Sequence, residues 1–187
     1  MINFETMVDM LFDGIDEKQK KQYNPNGYWQ LNNKEPKMAS SLRPDTILKR
    51  NKAIYILDAK MYQFGATHDI RDLPETQSLQ KQITYGDYVS KKEGMDKVRN
   101  AFILPYNKEL QMFKNDENIL KYNDGDLAYF GKAFVDWRED EKVKDYDNIY
   151  AFGIDFNYLL RNYHHADYEI INSLCSSIES LLNKYAK

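Results

Sequence analysis

Arg43-Pro44-Asp45-Thr46-Ile47-Leu48, a charged run Lys49-Arg50-Asn51-Lys52, and then Ala53-Ile54-Tyr55-Ile56-Leu57-Asp58-Ala59-Lys60-Met61-Tyr62 form the stretch on which the fold is read. Two apolar runs separated by a polar loop spell a β-hairpin. The second run is short, continuous and rich in Ile, Leu and Tyr, the composition of a strand covered on both faces. Asp58 and Lys60 break that run and stand two residues apart, so they share one face of the strand. A charged pair inside a buried strand is costly unless something compensates it, which makes the pair a candidate site.

Parity carries the argument further. With Lys49 to Lys52 as the loop, Leu48 pairs with Ala53 and Asp45 falls opposite Ile56. Residues directly opposite share a face, so Asp45, Ile56, Asp58 and Lys60 point the same way, with Asp45 and Asp58 diagonal neighbours roughly 7–8 Å apart. Two carboxylates so placed can converge on one Mg²⁺, which takes oxygen ligands at about 2.0–2.1 Å and keeps several waters. A loop with an odd residue count would turn Asp45 to the other face.

Pro44-Asp45 followed across a hairpin by Asp58-Ala59-Lys60 resembles the signature of the PD-(D/E)XK nuclease superfamily. Two further stretches, Leu73-Pro74-Glu75-Thr76-Gln77-Ser78-Leu79-Gln80-Lys81-Gln82-Ile83-Thr84-Tyr85-Gly86 and Asn100-Ala101-Phe102-Ile103-Leu104-Pro105-Tyr106-Asn107, are similar to the LlaJI family of restriction endonucleases, itself similar to the McrC nuclease subunits of McrBC-type systems. The resemblance covers most of the chain and is firmest from Leu42 to Asn107. It implies an α/β, restriction-endonuclease-like fold: a central mixed β-sheet flanked by helices, in one nuclease domain over residues 1–187. It also implies a restriction-system endodeoxyribonuclease that hydrolyses DNA to 5′-phosphate and 3′-hydroxyl ends with Mg²⁺, for which Mn²⁺ can substitute. On that reading Asp45, Asp58, the carbonyl of Ala59 and Glu5 hold the metal. Lys60 positions the attacking water, while Lys81 and Tyr85 help to hold the scissile phosphate. The implied partners are double-stranded DNA and a McrB-like nucleotide-hydrolysing subunit, and a homodimer stays open. Two alternatives share these residues: an assembly module of nuclease fold that depends on a motor subunit, and a nuclease directed at RNA or repair intermediates.

A length of 187 residues suits one domain with a substantial core. The apolar fraction of 42% and charged fraction of 29% are ordinary for a soluble globular chain. Cys175 is the single cysteine, which excludes an internal disulfide and a cysteine-rich zinc site and fits a reducing cytoplasm. Neither a signal peptide nor an apolar run of membrane-spanning length is visible. A net charge of −3 argues against tight nonspecific DNA binding by this chain alone, although phosphate contacts depend on local basic groups. The sequence carries no Gly-x-x-x-x-Gly-Lys phosphate loop, so a motor would belong to another chain. It begins almost at the first core helix, which leads us to expect an excised catalytic domain or a short subunit.

Along the chain, Ile2 to Ile15 reads as a helix with Phe4, Met7, Val8, Leu11 and Ile15 on one stripe, Gly14 marking its end. Glu5 flanks the stripe; a solvated residue and a metal-directed acid are both open. Asp16 to Ser41 is polar and lysine-bearing, a loop with one short element around Tyr28-Trp29. His68 reads as a surface residue. Asp72 and Glu75 suggest a capping box around Pro74 and a helix from Pro74 to Ser90. Its packing face is Leu79, Ile83 and Gly86, with Gln77, Lys81, Tyr85 and Tyr88 opposite. That polar-aromatic stripe is either a solvated face or the wall of the site. Strands are expected over Val98–Leu104, within Leu127–Trp137 and over Ile149–Asp155. A polar connection runs from Tyr106 to Gly125. A short helix follows over Phe156–His165, then a long one over Asp167–Lys187 with Ile170, Ile171, Leu174, Cys175, Ile178, Leu181, Leu182 and Tyr185 on its apolar face.

Overall fold

A computed structural model describes residues 1–138 and 142–185. The chain runs α1 (Phe4–Leu11), α2 (Glu17–Lys20), β1 (Asn26–Trp29), β2 (Lys37–Ser41), β3 (Thr46–Arg50), β4 (Ala53–Ala59), α3 (Phe64–Thr67), α4 (Thr76–Glu93), β5 (Val98–Tyr106), α5 (Gln111–Lys114), β6 (Leu120–Tyr122), β7 (Leu127–Ala133), β8 (Ile149–Asp155), α6 (Phe156–Asn162) and α7 (Tyr168–Tyr185). The expected continuation of the last helix to Lys187 and the side chain of Tyr185 lie outside the described residues. No helix among the described residues is long and apolar enough to cross a membrane.

Strands β3 to β8 form one six-stranded mixed sheet in the order β3-β4-β5-β8-β7-β6, and β1 pairs with β2 apart from it. β4, β5 and β8 are parallel neighbours at the centre, with antiparallel strands on either flank. Every residue of β4 is buried, as a central strand covered by helices on both faces must be. Alternate residues then part to opposite layers. Tyr55, Leu57 and Ala59 join Phe4, Met7, Val8 and Leu11 of α1 and the apolar stripe of α7. Ile54 and Ile56 join Tyr85 and Val89 of α4 instead. Period two carries the next position on that α4 face to Asp58.

The β3–β4 turn is tighter than the sequence suggests. Arg50, rather than Leu48, pairs with Ala53, and the loop is Asn51-Lys52 alone, with φ of 51° and 61°. Positive φ at both central positions is the geometry of a type I′ hairpin, whose twist matches that of the strands. The register therefore slides by two, and parity survives. The ladder opens at Thr46–Leu57, and one further step would set Asp45 level with Asp58 rather than diagonal to it.

Other boundaries also shift. α1 starts at Phe4, capped by the Asn3 side chain, and stops at Leu11, before Gly14. α4 starts at Thr76 without a capping box: its N-cap Glu75 makes no side-chain bond, and Asp72 accepts from Thr67 Oγ1 at 2.6 Å. β5 runs through Pro105 to Tyr106. It can do so because β4 pairs with it only as far as Ile103, leaving Pro105 beside β8 alone, where a missing N–H is tolerated as at an edge. The connection after β5 contains α5 and β6, anchored by the buried Phe113.

Candidate active site

The cluster is assembled by three local causes. The type I′ turn fixes which residues of β3 and β4 face each other. The alternation of β4 sends Asp58 to the α4 side. Pro44, buried, then ends the approach to β3 so that Asp45 sits one residue before the ladder. Asp45 accepts the backbone N–H of Ala59 through Oδ2 at 3.0 Å, which ties its carboxyl group to the end of β4. Lys60, just beyond β4, donates its ammonium to Asp58 Oδ2 at 2.8 Å and its own backbone N–H to the carbonyl of Ile103 at 2.9 Å. The Asp58 side chain is 3% exposed and that of Lys60 19%. The structure thus brings Asp45, Asp58, Ala59 and Lys60 together.

The crowding of the two acids has an electrostatic consequence. Burial first, then the charge of Asp58 and a direct contact with its carboxyl group, then the charge of Glu5, push Asp45 up to about 7, while Lys60 pulls the other way. One ammonium does not balance two crowded carboxylates. Burial alone would lower Lys60, but its hydrogen bond to Asp58 and the charges of Asp58 and Asp45 outweigh this and hold it above its usual value. Oδ1 of Asp58 is buried and has no hydrogen-bond partner, an arrangement that is costly for an anion unless a cation or a proton reaches it. Glu5 stands exposed on α1 and acts on Asp45 through its charge. Among the described residues no group of three or more His, Cys, Asp or Glu side chains is gathered as a ready metal-binding set. The fit to a divalent cation therefore rests on Asp45, the open Oδ1 of Asp58 and the surplus negative charge, and on those grounds the residues suit one.

Two side chains hold the backbone of the Arg43–Asp45 segment. Tyr85, fully buried on α4, donates its hydroxyl to the carbonyl of Arg43 at 2.8 Å; burial and the charges of Asp58 and Asp45 raise its pKa. Tyr85 is thus a core residue of α4, on the same packed side as Gln82, Ile83, Gly86 and Val89, while Lys81 is half-buried with its ammonium 5.6 Å from the centre of the Tyr85 ring. Lys20 of α2, which the sequence hides in a lysine-rich run, donates to the carbonyl of Asp45 at 2.6 Å and pairs with Asp9 at 3.4 Å and Glu17 at 2.8 Å. Only the Glu17–Lys20 spacing, on one helical face, hinted at it.

Gln82 is a second residue the sequence does not flag. Its Nε2 donates to the carbonyl of Ile56 at 2.9 Å and to Asn100 Oδ1 at 3.2 Å, and Asn100 returns bonds to the carbonyls of Gln82 and Tyr146. This buried network fastens α4 to β4 at Ile56, two residues before Asp58. His68, expected at the surface, is half-buried beside Phe113 and pairs with Asp116 at 2.9 Å.

A mixed sheet wrapped by helices, with an Asp–Asp–Lys cluster at the ends of two adjacent strands, defines an α/β protein of restriction-endonuclease-like fold. The chain belongs to the LlaJI restriction endonuclease family, whose model matches residues 3–124. It is accordingly a nuclease acting on DNA. The matched span holds the whole cluster, and the remainder supplies β7, β8, α6 and α7, with β8 at the centre of the sheet. No curated protein and no solved structure matches the chain.

Proposed function

We propose that this chain is a metal-dependent endodeoxyribonuclease of a restriction system, acting in the cytoplasm on double-stranded DNA and leaving 5′-phosphate and 3′-hydroxyl ends. The observation that carries the reading is the buried, partnerless Oδ1 of Asp58, packed against a second carboxyl group and one ammonium. Asp45, Asp58 and the carbonyl of Ala59 would hold Mg²⁺, with Mn²⁺ as a substitute, and Glu5, exposed on α1, would add to the site through its charge and a metal-bound water. When bound, such an ion polarises a phosphoryl oxygen and lowers the pKa of water. Lys60, kept charged beside Asp58, orients the attacking water and offsets negative charge that grows on the phosphate. Water adds to phosphorus as the bond to the 3′-oxygen breaks, which gives the stated ends. Lys81 lends its charge to the phosphate, while Tyr85 keeps the Arg43–Asp45 segment rigid. A McrB-like nucleotide-hydrolysing subunit and a second copy of the chain are the proposed partners.

The test is cleavage of duplex DNA in Mg²⁺, with and without a candidate motor subunit. Asp58→Ala should abolish cutting and leave the circular dichroism spectrum unchanged. Undiminished cutting by that variant would overturn the assignment.

A further inference from the structure

We propose that the ribbon β1–β2 is an arm that grips duplex DNA beside the cleavage site. This rests on the reading of the chain as a DNA nuclease and adds the element that holds the substrate.

The ribbon is set apart from the six-stranded sheet. All of β1 and nearly all of β2 is exposed. Tyr28 (61%), Trp29 (72%), Leu31 (62%) and Met38 (58%) stand in solvent. Tyr28 pairs with Met38 and Trp29 with Lys37, so each face of the ribbon carries large unpacked side chains. A lone two-stranded hairpin is marginally stable in water, and apolar surface left open on both sides calls for an occupant.

Charge and position name that occupant. Trp29, Leu31, Lys34, Glu35 and Lys37 line one hollow of about 230 Å³. From residue 24 to residue 43 the only charged side chains are Lys34, Glu35, Lys37 and Arg43, a basic excess in a chain with 26 basic and 29 acidic residues. Apolar, aromatic and basic side chains interleaved on an exposed ribbon match the phosphate contacts and the apolar groove contacts of duplex binding, and a two-stranded β-ribbon is of a size that the major groove admits. The base of the ribbon is clasped where Leu42 N–H donates to the carbonyl of Pro25 at 2.8 Å and Ser41 Oγ to Asn26 Oδ1 at 2.6 Å. Asp45 follows four residues after the end of β2 at Ser41, so the ribbon springs from beside the carboxylates.

The experiment measures binding of a labelled duplex by fluorescence anisotropy in Ca²⁺ at several salt concentrations, with Trp29→Ala and a Lys34→Ala/Lys37→Ala double variant. Trp29→Ala should weaken binding about tenfold, the worth of partly burying one large side chain against the groove. The double variant should flatten the dependence of log K on log salt by about two. In Mg²⁺ both should raise KM more than they lower kcat. Circular dichroism melts like those of the wild type exclude misfolding. Wild-type affinity and salt slope in both variants would overturn the arm while leaving the nuclease reading intact. Variants that bind DNA normally but lose stimulation by a motor subunit would also overturn it and make the ribbon a protein-docking element. A wild-type chain that neither binds nor cuts duplex DNA would overturn both readings.

Discussion

The ammonium of Lys20 lies 2.6 Å from the carbonyl oxygen of Asp45, and Lys20 itself is only 6% exposed. A lysine buried to that degree needs partners, and it has them in Asp9, Glu17 and this carbonyl. It therefore acts on the site by fixing where Asp45 stands. Lys20→Met strips a charged donor from a part-buried carbonyl, which should cost about 1.5–3 kcal/mol in urea unfolding. Cleavage should fall further than that loss explains, mainly in kcat, with partial recovery in Lys20→Arg. Undiminished kcat in Lys20→Met would show that Asp45 is held without it.

Asp45 gives the protein an unusual pH dependence. Its folded pKa, near 7, lies above the ordinary 3.8, so between those values the folded state holds a proton that the unfolded chain releases. Stability from this group is fully present below about pH 4 and is lost as pH rises through 7. Paired acids with lowered pKa values, such as Glu179 beside Arg99, act in the opposite sense. The clean measurement is the difference between wild type and Asp45→Asn in chelator. The urea midpoint of the wild type should drop relative to the variant from pH 4 to 7 and run parallel above it. Parallel behaviour across the whole range would mean that the two acids do not share their charge as the geometry indicates.

The same crowding predicts what a divalent cation does to folding. A ligand that binds only the native state stabilises it by about 2.7 kcal/mol at a hundred times its Kd. Mg²⁺ should therefore raise the melting temperature of the wild type, more at pH 8 than at pH 6, because Asp45 must shed its proton to bind. Asp58→Asn should remove the effect. A metal-induced shift of the same size in Asp58→Asn would place the ion elsewhere.

The parts of this molecule that sequence makes legible are those written in short-range alternation. Asp45, Asp58 and Lys60 share a face whether the β3–β4 loop has four residues or two, since both counts are even and face depends only on parity. That is why the misjudged register did no harm. Tyr85 and Lys20 lay beyond such rules. Tyr85 sits at a polar-looking position of α4 and is drawn inward by the carbonyl of Arg43, a partner 42 residues away in the chain. Apart from its spacing from Glu17, little local distinguishes Lys20 from Lys18 or Lys21; the carbonyl that buries it is supplied by a turn 25 residues on. The ribbon β1–β2 was legible only as one short element around Tyr28-Trp29, where β1 lies, and its second strand was missed for the reverse reason. With both faces in solvent it has no buried side, so its pattern carries none of the alternation by which strands are recognised. The expected strand over Val98–Leu104 stopped short of Pro105 because the tolerance for proline depends on where the neighbouring strand ends.

Gly86 offers a test of the packing that carries the site. In an exposed helix, replacing Gly with Ala gains about 1 kcal/mol, so a helical glycine in the middle of α4 should improve on substitution. Here a Cβ would come within 2.4 Å of the Tyr146 ring and 3.0 Å of Asn100 Nδ2. Neither neighbour moves freely: Tyr146 is 2% exposed and donates to Asp87 at 2.8 Å, and Asn100 is bound to the carbonyls of Gln82 and Tyr146. Overpacking of this kind costs about 1–3 kcal/mol, which outweighs the helical gain. Gly86→Ala should therefore lower the urea midpoint. Because the shift is transmitted through Gln82 to the carbonyl of Ile56, two residues before Asp58, it should also slow cleavage under conditions where the variant is fully folded. A stabilised Gly86→Ala protein of normal activity would show that α4 can slide over the sheet and that the Gln82–Asn100 network does not fix the position of Asp58.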